Sequence, residues 1–216
     1  MAAFWDFVTR DWYFAYPMFF MSLAAITLVI WRTMLNAGAG TNMNEFLPNF
    51  QQVLEKEGPD GALRYCQSRT DVIPRKLFTA GLENARQGAA AMRRAMANVI
   101  ELEILPDLNF LLAPILAIAK IATMVGLLGT VISMINTFNK IGQASQQGNI
   151  AGHASAIGLA LFATALGLMT AIPLVFAHVL FKAWIVKFEV KMKSAAQKLL
   201  LLVQSAKAAP AAAAKR

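Results

Sequence analysis

Thr123, Gly126, Thr130, Ser133 and Thr137 recur at intervals of three and four residues. On a helix of ~3.6 residues per turn such positions share one face. The rest of the segment is dominated by Val, Leu, Ile and Met, so a single stripe of hydroxyls and small residues runs along an otherwise apolar helix. Ala156, Ala160, Thr164, Gly167 and Ala171 form a second narrow stripe, with Pro173 just beyond it. Hydroxyls in such a setting have two uses. They can solvate water, an ion or a charged group from another chain. Alternatively, they bond back to their own helix carbonyls while the small residues let helices approach closely. Packing is the expected role of Gly126, Gly129, Ala160, Gly167, Ala171 and Pro173. For Thr130 and Thr164 the two readings stand level.

Those stripes lack a titratable partner of their own. No Asp or Glu occurs between Leu108 and Phe188, although ion coupling across a membrane usually needs a titratable Asp, Glu or His. His153 falls in a polar loop and His178 near the far end of the second stripe's helix, so neither suits a midplane relay. If ions move here, the titrating group comes from a partner. No nucleophile–base set, metal-ligand cluster or phosphate loop is apparent, so no catalytic residue, metal site, cofactor or enzymatic activity is expected. The single cysteine, Cys66, excludes an intramolecular disulfide and reads as a half-buried thiol.

The elements that must position these stripes are membrane spans. Of the 216 residues 57% are hydrophobic and 15% charged, against roughly 25% charged in soluble domains. A bilayer core needs ~20 apolar residues in a helix. Residues 13–31 form the first span, with Trp12, Tyr13, Tyr16 and Trp31 as interfacial aromatics and Arg32 as its stop. A cleaved signal peptide competes for this segment, and Ala37-Gly38-Ala39 mimics a cleavage site. However, the apolar run exceeds the ~7–15 residues of a signal core, and Asp6 and Asp11 precede it. The lead-in and second span occupy 107–138, a short outer loop 139–153, and the third span 154–181. Lys120, His178 and Lys182 stand as inner-interface anchors, with the lysine ammonium groups snorkelling to the headgroups.

Lys and Arg counts orient the chain. Residues 32–106 carry nine and the segment from Lys182 onward eight, against one each in the N-terminal segment and the 139–153 loop. Positive flanks face the cytoplasm, which places the N-terminus outside and the C-terminus inside. The formal charge of +8 then marks a membrane-flanking tail and not a nucleic-acid partner. Residues 32–106 read as a helical cytoplasmic domain. Glu45–Lys56 is one helix, Gly58-Pro59-Asp60-Gly61 a turn, Ala62–Gln67 another helix, and Pro74 the start of a third bearing Leu77, Phe78 and Leu82. Ala89–Leu105 strongly favours helix and leads into the second span, with kinks expected at Pro106 and Pro114. Residues 182–206 extend the third span inward, and 207–216 read as a disordered tail. Phe4, Phe7, Val8 and Trp12 share a face of an outer interfacial helix over 1–12. The fold class is therefore an all-α integral membrane protein with three transmembrane helices and a helical cytoplasmic domain.

At the two striped spans the sequence resembles the MotA/TolQ/ExbB proton-channel family, most closely its TolQ/ExbB branch. Gly126-Leu127-Leu128-Gly129-Thr130-Val131, then Met134-Ile135 and Phe138, looks like the family's second-span signature. Ala163-Thr164-Ala165-Leu166-Gly167-Leu168, then Ala171-Ile172-Pro173, looks like its third-span signature. The resemblance implies a homopentamer in a bacterial inner membrane, enclosing a dimer of single-span ExbD/TolR-type partners that supply a membrane Asp. Ion flow would drive mechanical work on the cell envelope. Thr130 and Thr164 would face the pore, with Ser133, Thr137 and Thr123 along the ion path. This chain departs from the branch at four places. Leu159 stands where many relatives have Glu, Ser133 where Gly is usual, His178-Val179 where a Tyr-Asn pair is found, and Thr123 where Pro is common. A non-conducting membrane scaffold of an envelope complex is the alternative function. A hydroxyl lining would serve H⁺ or Na⁺ alike.

Overall fold

The computed structural model describes residues 12–38, 43–69, 71, 73–143 and 150–213. Every regular element among them is helical. The expected outer helix with Phe4, Phe7 and Val8 lies outside the described residues. Three helices are long and apolar enough to cross a membrane, within Ala15–Asn36, Ala89–Asn139 and Ala160–Ser205. Large apolar side chains such as Phe20, Leu23, Met124, Leu127, Met169 and Phe176 are exposed along them. Helices satisfy their own backbone groups, so a surface of this kind is stable in hydrocarbon and a liability in water. The chain is an all-α membrane protein.

Contacts divide it into two units, residues 1–32 with 111–181, and residues 33–110 with 182–216. The first contains α1 (Trp12–Gly38) as far as Arg32, α6 (Leu112–Gln143) and the leading part of α7 (Ile150–Ala213). Its helices meet over small residues. Ala25, Ile115, Ala119, Ala171 and Leu174 form one buried cluster, walled by Leu28, Val29, Ile118 and Phe181. Ala15 and Ala163 form another beneath Val125, Ile132, Phe162 and Leu166. Alanine at a crossing lets helix backbones approach, which is the main source of packing energy where lipid is as apolar as the side chains.

The helix ends differ from the sequence expectation for physical reasons. α1 continues through Arg32, which is 1% exposed, to Gly38. A charged residue limits a hydrocarbon crossing, but it does not interrupt i→i−4 hydrogen bonding. α6 runs to Gln143 and α7 begins at Ile150, so helix extends well into the expected 139–153 loop. At the other end α7 reaches Ala213, beyond the expected boundary at 206, in keeping with the high helix propensity of its alanines.

The second unit is built from short helices and the trailing part of α7. In α2 (Met43–Gln67) the helix is broken at Gly58, whose φ of 72° lies in the left-handed region open to glycine. That is the expected Gly-Pro-Asp-Gly turn. A π-helical turn, Ile73–Phe78, leads to α3 (Thr79–Glu83) and a 3₁₀ turn, Ala85–Gln87. Phe46, Phe50 and Phe78 meet with ring centroids 5.3–5.7 Å apart, and Tyr65 stacks on Phe46 at 5.8 Å. From α7, Ile185, Phe188, Met192, Ala195 and Leu199 are buried. Their three-and-four spacing makes a coiled-coil-like seam.

Ala89 to the second span is not one helix. α4 (Ala89–Asn98) opens into a π-helical stretch, Val99–Ile104, where Leu105 N–H donates to Ile100 O five residues back. This shift precedes Pro106, which has no N–H for a regular ladder. α5 (Leu105–Asn109) follows, and the chain turns at Phe110 and Leu111 before α6. Pro114 itself causes no break. It sits in the first turn of α6, where backbone N–H groups have no intrahelical partner anyway.

Candidate functional site

The two striped helices, α6 and the leading part of α7, touch backbone to backbone. A Cβ on Gly167 would lie 2.7 Å from Ala122 O and 3.1 Å from Gly126 Cα. One on Gly126 would lie 3.1 Å from Ala163 O and 3.2 Å from Gly167 Cα. Neither position accepts a side chain without displacing main chain. This contact sets the register of the hydroxyls on either side of it.

Thr164 lies one turn before Gly167 and is half-buried. Its Oγ1 donates across the helix pair to Gly126 O at 3.2 Å and lies 3.4 Å from Thr130 Oγ1. A hydroxyl has one proton, so these two acceptors are alternatives. Thr130 donates its own proton to Leu127 O at 2.6 Å. Its lone pairs therefore face Thr164 and the partly open surface beside it. The pair can accept a hydrogen bond through Thr130 and can donate or accept through Thr164.

The remaining hydroxyls divide by burial. Thr123 donates to Lys120 O at 2.7 Å and keeps an accessible edge. Ser133 and Thr137 are only 8% and 3% exposed within the single chain, and Thr137 donates to Ser133 O at 2.8 Å. Their own chain covers them, because they continue the contact face that Gly126 and Gly129 begin. Of the expected ion-path hydroxyls, Thr123, Thr130 and Thr164 keep exposed surface.

Of the expected packing residues, Gly126, Gly129, Ala160, Gly167 and Ala171 are buried. Pro173 is exposed. Two residues past Ala171 it has turned by about 200° and faces away from the contact. Lys120 and Lys182 are exposed. His178 is half-buried, and its Nδ1 has no hydrogen-bond partner among the described residues. The side chains of His153, Ala156 and Leu159 lie outside the described residues. Sequence reasoning missed Ala122, whose carbonyl meets Gly167, and Ala163, whose carbonyl meets Gly126. The signal was present. Ala119, Ala122, Gly126 and Gly129 extend the small-residue spacing backward along α6.

Two kinds of comparison point to the same family. A family model, described as the MotA/TolQ/ExbB proton channel family, matches residues 69–194 and so covers both striped spans. The biopolymer transport protein ExbB-like 3 of Synechocystis sp. is 28% identical over 169 residues, covering 76% of this chain and 79% of that protein. The biopolymer transport protein ExbB of Pseudomonas putida is 41% identical over 86 residues. That match covers 40% of this chain and only 26% of the relative's length.

Proposed function

The chain belongs to the MotA/TolQ/ExbB proton channel family, and we propose that it is the ring-forming subunit of an ion-driven machine that energises transport across the cell envelope. In this reading it sits in a bacterial inner membrane with its N-terminus outside and C-terminus inside, as the Lys and Arg distribution favours. Copies of it, five by family resemblance, surround a dimer of single-span ExbD/TolR-type subunits. Those subunits bring the membrane carboxyl group that this chain lacks.

The observation that carries the proposal is the Thr164–Thr130 pair at the Gly126/Gly167 contact. A carboxyl group that loads and releases an ion must be tolerated in both protonation states. A protonated carboxyl needs an acceptor, and the lone pairs of Thr130 Oγ1 supply one. An ionised carboxylate needs a donor. Thr164 supplies it by rotating its proton off Gly126 O, a small movement because that bond is already long at 3.2 Å. Gly126 O stays within the ladder of its own helix. The apolar surround keeps bulk water out, so both hydrogen bonds are strong. The ring thus stabilises either state of the partner's carboxyl without a titrating group of its own.

Thr130→Val and Thr164→Val preserve shape and remove the hydroxyl. A hydrogen bond to a charged group contributes about 1.5–3 kcal/mol, so ion-driven output should fall about 10–150-fold per site. Subunit assembly, read by co-purification with the partner, should be unchanged. Thr164→Ser should retain output. Full activity in both valine variants would remove the hydroxyls from the ion path and favour the scaffold reading.

A further inference from the structure

Among the described residues of the second unit, Leu102 is the most exposed large apolar side chain, at 73%. Glu101 and Glu103 flank it, and both are exposed. Lipid covers the apolar side chains along the spans, but hydrocarbon does not cover a leucine set between two carboxylates. The same unit holds a cleft of about 450 Å³ between α4 with its π-helical continuation and the trailing part of α7. Its walls at one end are Ala97 and Ile100 on the first side, and Ala196 and Gln197 on the second. The two alanines leave that end open to an incoming side chain. Glu101 and Lys193 form its rim. Lys193 is 61% exposed and pairs with Glu189 at 2.6 Å, and Glu101 is close enough to act on its charge. This part of α7 is basic, with Lys187, Lys191, Lys193 and Lys198 against the one acid Glu189.

We propose that the cleft is a socket for a second copy of this chain: Leu102 of one copy enters the Ala97–Ala196 end in the next, and its Glu103 reaches the neighbour's Lys193. The charges are complementary, an acidic pair around the knob against a basic helix at the socket, and such matching selects the partner and its register. An apolar anchor in a pocket with a charged rim is also the usual anatomy of a protein interface. The levels agree. Leu102 follows Glu101, so the knob stands about 1.5 Å along the helix from the Glu101 end of the socket. Copies related by rotation about an axis along these helices keep every residue at its own level, and knob then meets socket. The directions agree as well. One step along the helix turns Leu102 about a quarter turn away from Glu101, so knob and socket lie on different faces. A contact between unlike faces is head-to-tail and closes into a ring, whereas a contact between like faces stops at a dimer. The inference rests on the ring-forming reading above and assigns the residues that join its cytoplasmic parts.

The test joins the two surfaces covalently. Two full-length chains with different tags, one carrying Leu102→Cys and the other Ala196→Cys, both in a Cys66→Ala background, are co-expressed and oxidised in native membranes. Because the cysteines sit on separate chains, a disulfide between them reports a contact between copies. The expected product is a mixed dimer carrying both tags, with no disulfide in membranes containing either variant alone. Glu103→Lys in the first chain, or Lys193→Glu in the second, should slow its formation about two- to fivefold, and the two together should restore the rate. Native mass spectrometry of the parent protein in lipid nanodiscs counts the copies independently. An oligomer that gives no mixed disulfide overturns the inference and leaves the ring reading standing, whereas a monomer overturns both. Leu102→Cys linking to itself as readily as to Ala196→Cys also overturns the inference, because like faces then meet. A mixed disulfide whose rate ignores both charge variants overturns it too, by removing the complementarity that selects a second copy as the occupant.

Discussion

Gly167→Ala is the sharpest test of the contact that organises the site. In an open helix this change stabilises by about 1 kcal/mol through helix propensity. Here the new Cβ would stand 2.7 Å from Ala122 O, a main-chain atom that cannot rotate away. Ordinary contact begins near 3.4 Å, so α6 and α7 must separate by about 0.7 Å at this point. The same displacement carries Thr164 Oγ1 from 3.2 Å to about 3.9 Å from Gly126 O, outside hydrogen-bond range. Overpacking costs about 1–3 kcal/mol and the lost hydrogen bond about 1 kcal/mol, against the propensity gain. The net loss is about 2 kcal/mol, or a melting temperature lowered by about 4–8 °C for a chain of this size. Gly158→Ala is the matched control on the same helix, because nothing lies within 4 Å of its Cβ position. It should leave the melting temperature unchanged or slightly higher. The assay is thermal unfolding of the purified protein in detergent, paired with ion-driven output in cells. If Gly167→Ala melts and works like Gly158→Ala, the helices do not meet at Gly126 and Gly167, and the Thr164–Thr130 geometry argued from that contact fails with them.

Two further outcomes follow in the second unit. Phe78 is fully buried and packs 5.5 and 5.3 Å from the rings of Phe46 and Phe50, so Phe78→Ala should destabilise that unit by about 3–5 kcal/mol, measured as early loss of hydrogen-exchange protection in α2 and α3. Burial pushes the Cys66 thiol from 9.0 up to about 12, which makes it unreactive toward alkylating reagents at neutral pH. Because the folded-state value is the higher one, stability is unaffected below pH 9 and declines as pH rises from 9 toward 12, by at most about 1.4 kcal/mol per pH unit. Unfolding measured across that range should show the decline in the parent protein, and Cys66→Ala should lose this component.

The spans and the shared face of Thr123, Gly126, Thr130, Ser133 and Thr137 were legible in the sequence, because helical periodicity depends only on residues a few positions apart. What that face does was not legible, because it depends on a contact between residues 41 positions apart in the chain. Gly126 meeting Gly167 brings Thr130 to within 3.4 Å of Thr164. Further along α6, Ser133 and Thr137 are covered by their own chain. A stripe that looks uniform in sequence is therefore divided into an accessible pair and a sealed pair. The same logic explains the misplaced kinks. Pro106 and Pro114 were visible, but the chain relieves the first with a π-helical stretch over Val99–Ile104 and tolerates the second in a first turn, so the break falls at Phe110 and Leu111, which carry no breaking residue. The division of the stripe also constrains function. In the proposed assembly, a carboxyl from another chain would meet Thr130 and Thr164, whose hydroxyls keep an accessible edge, while Thr137 is covered by its own chain.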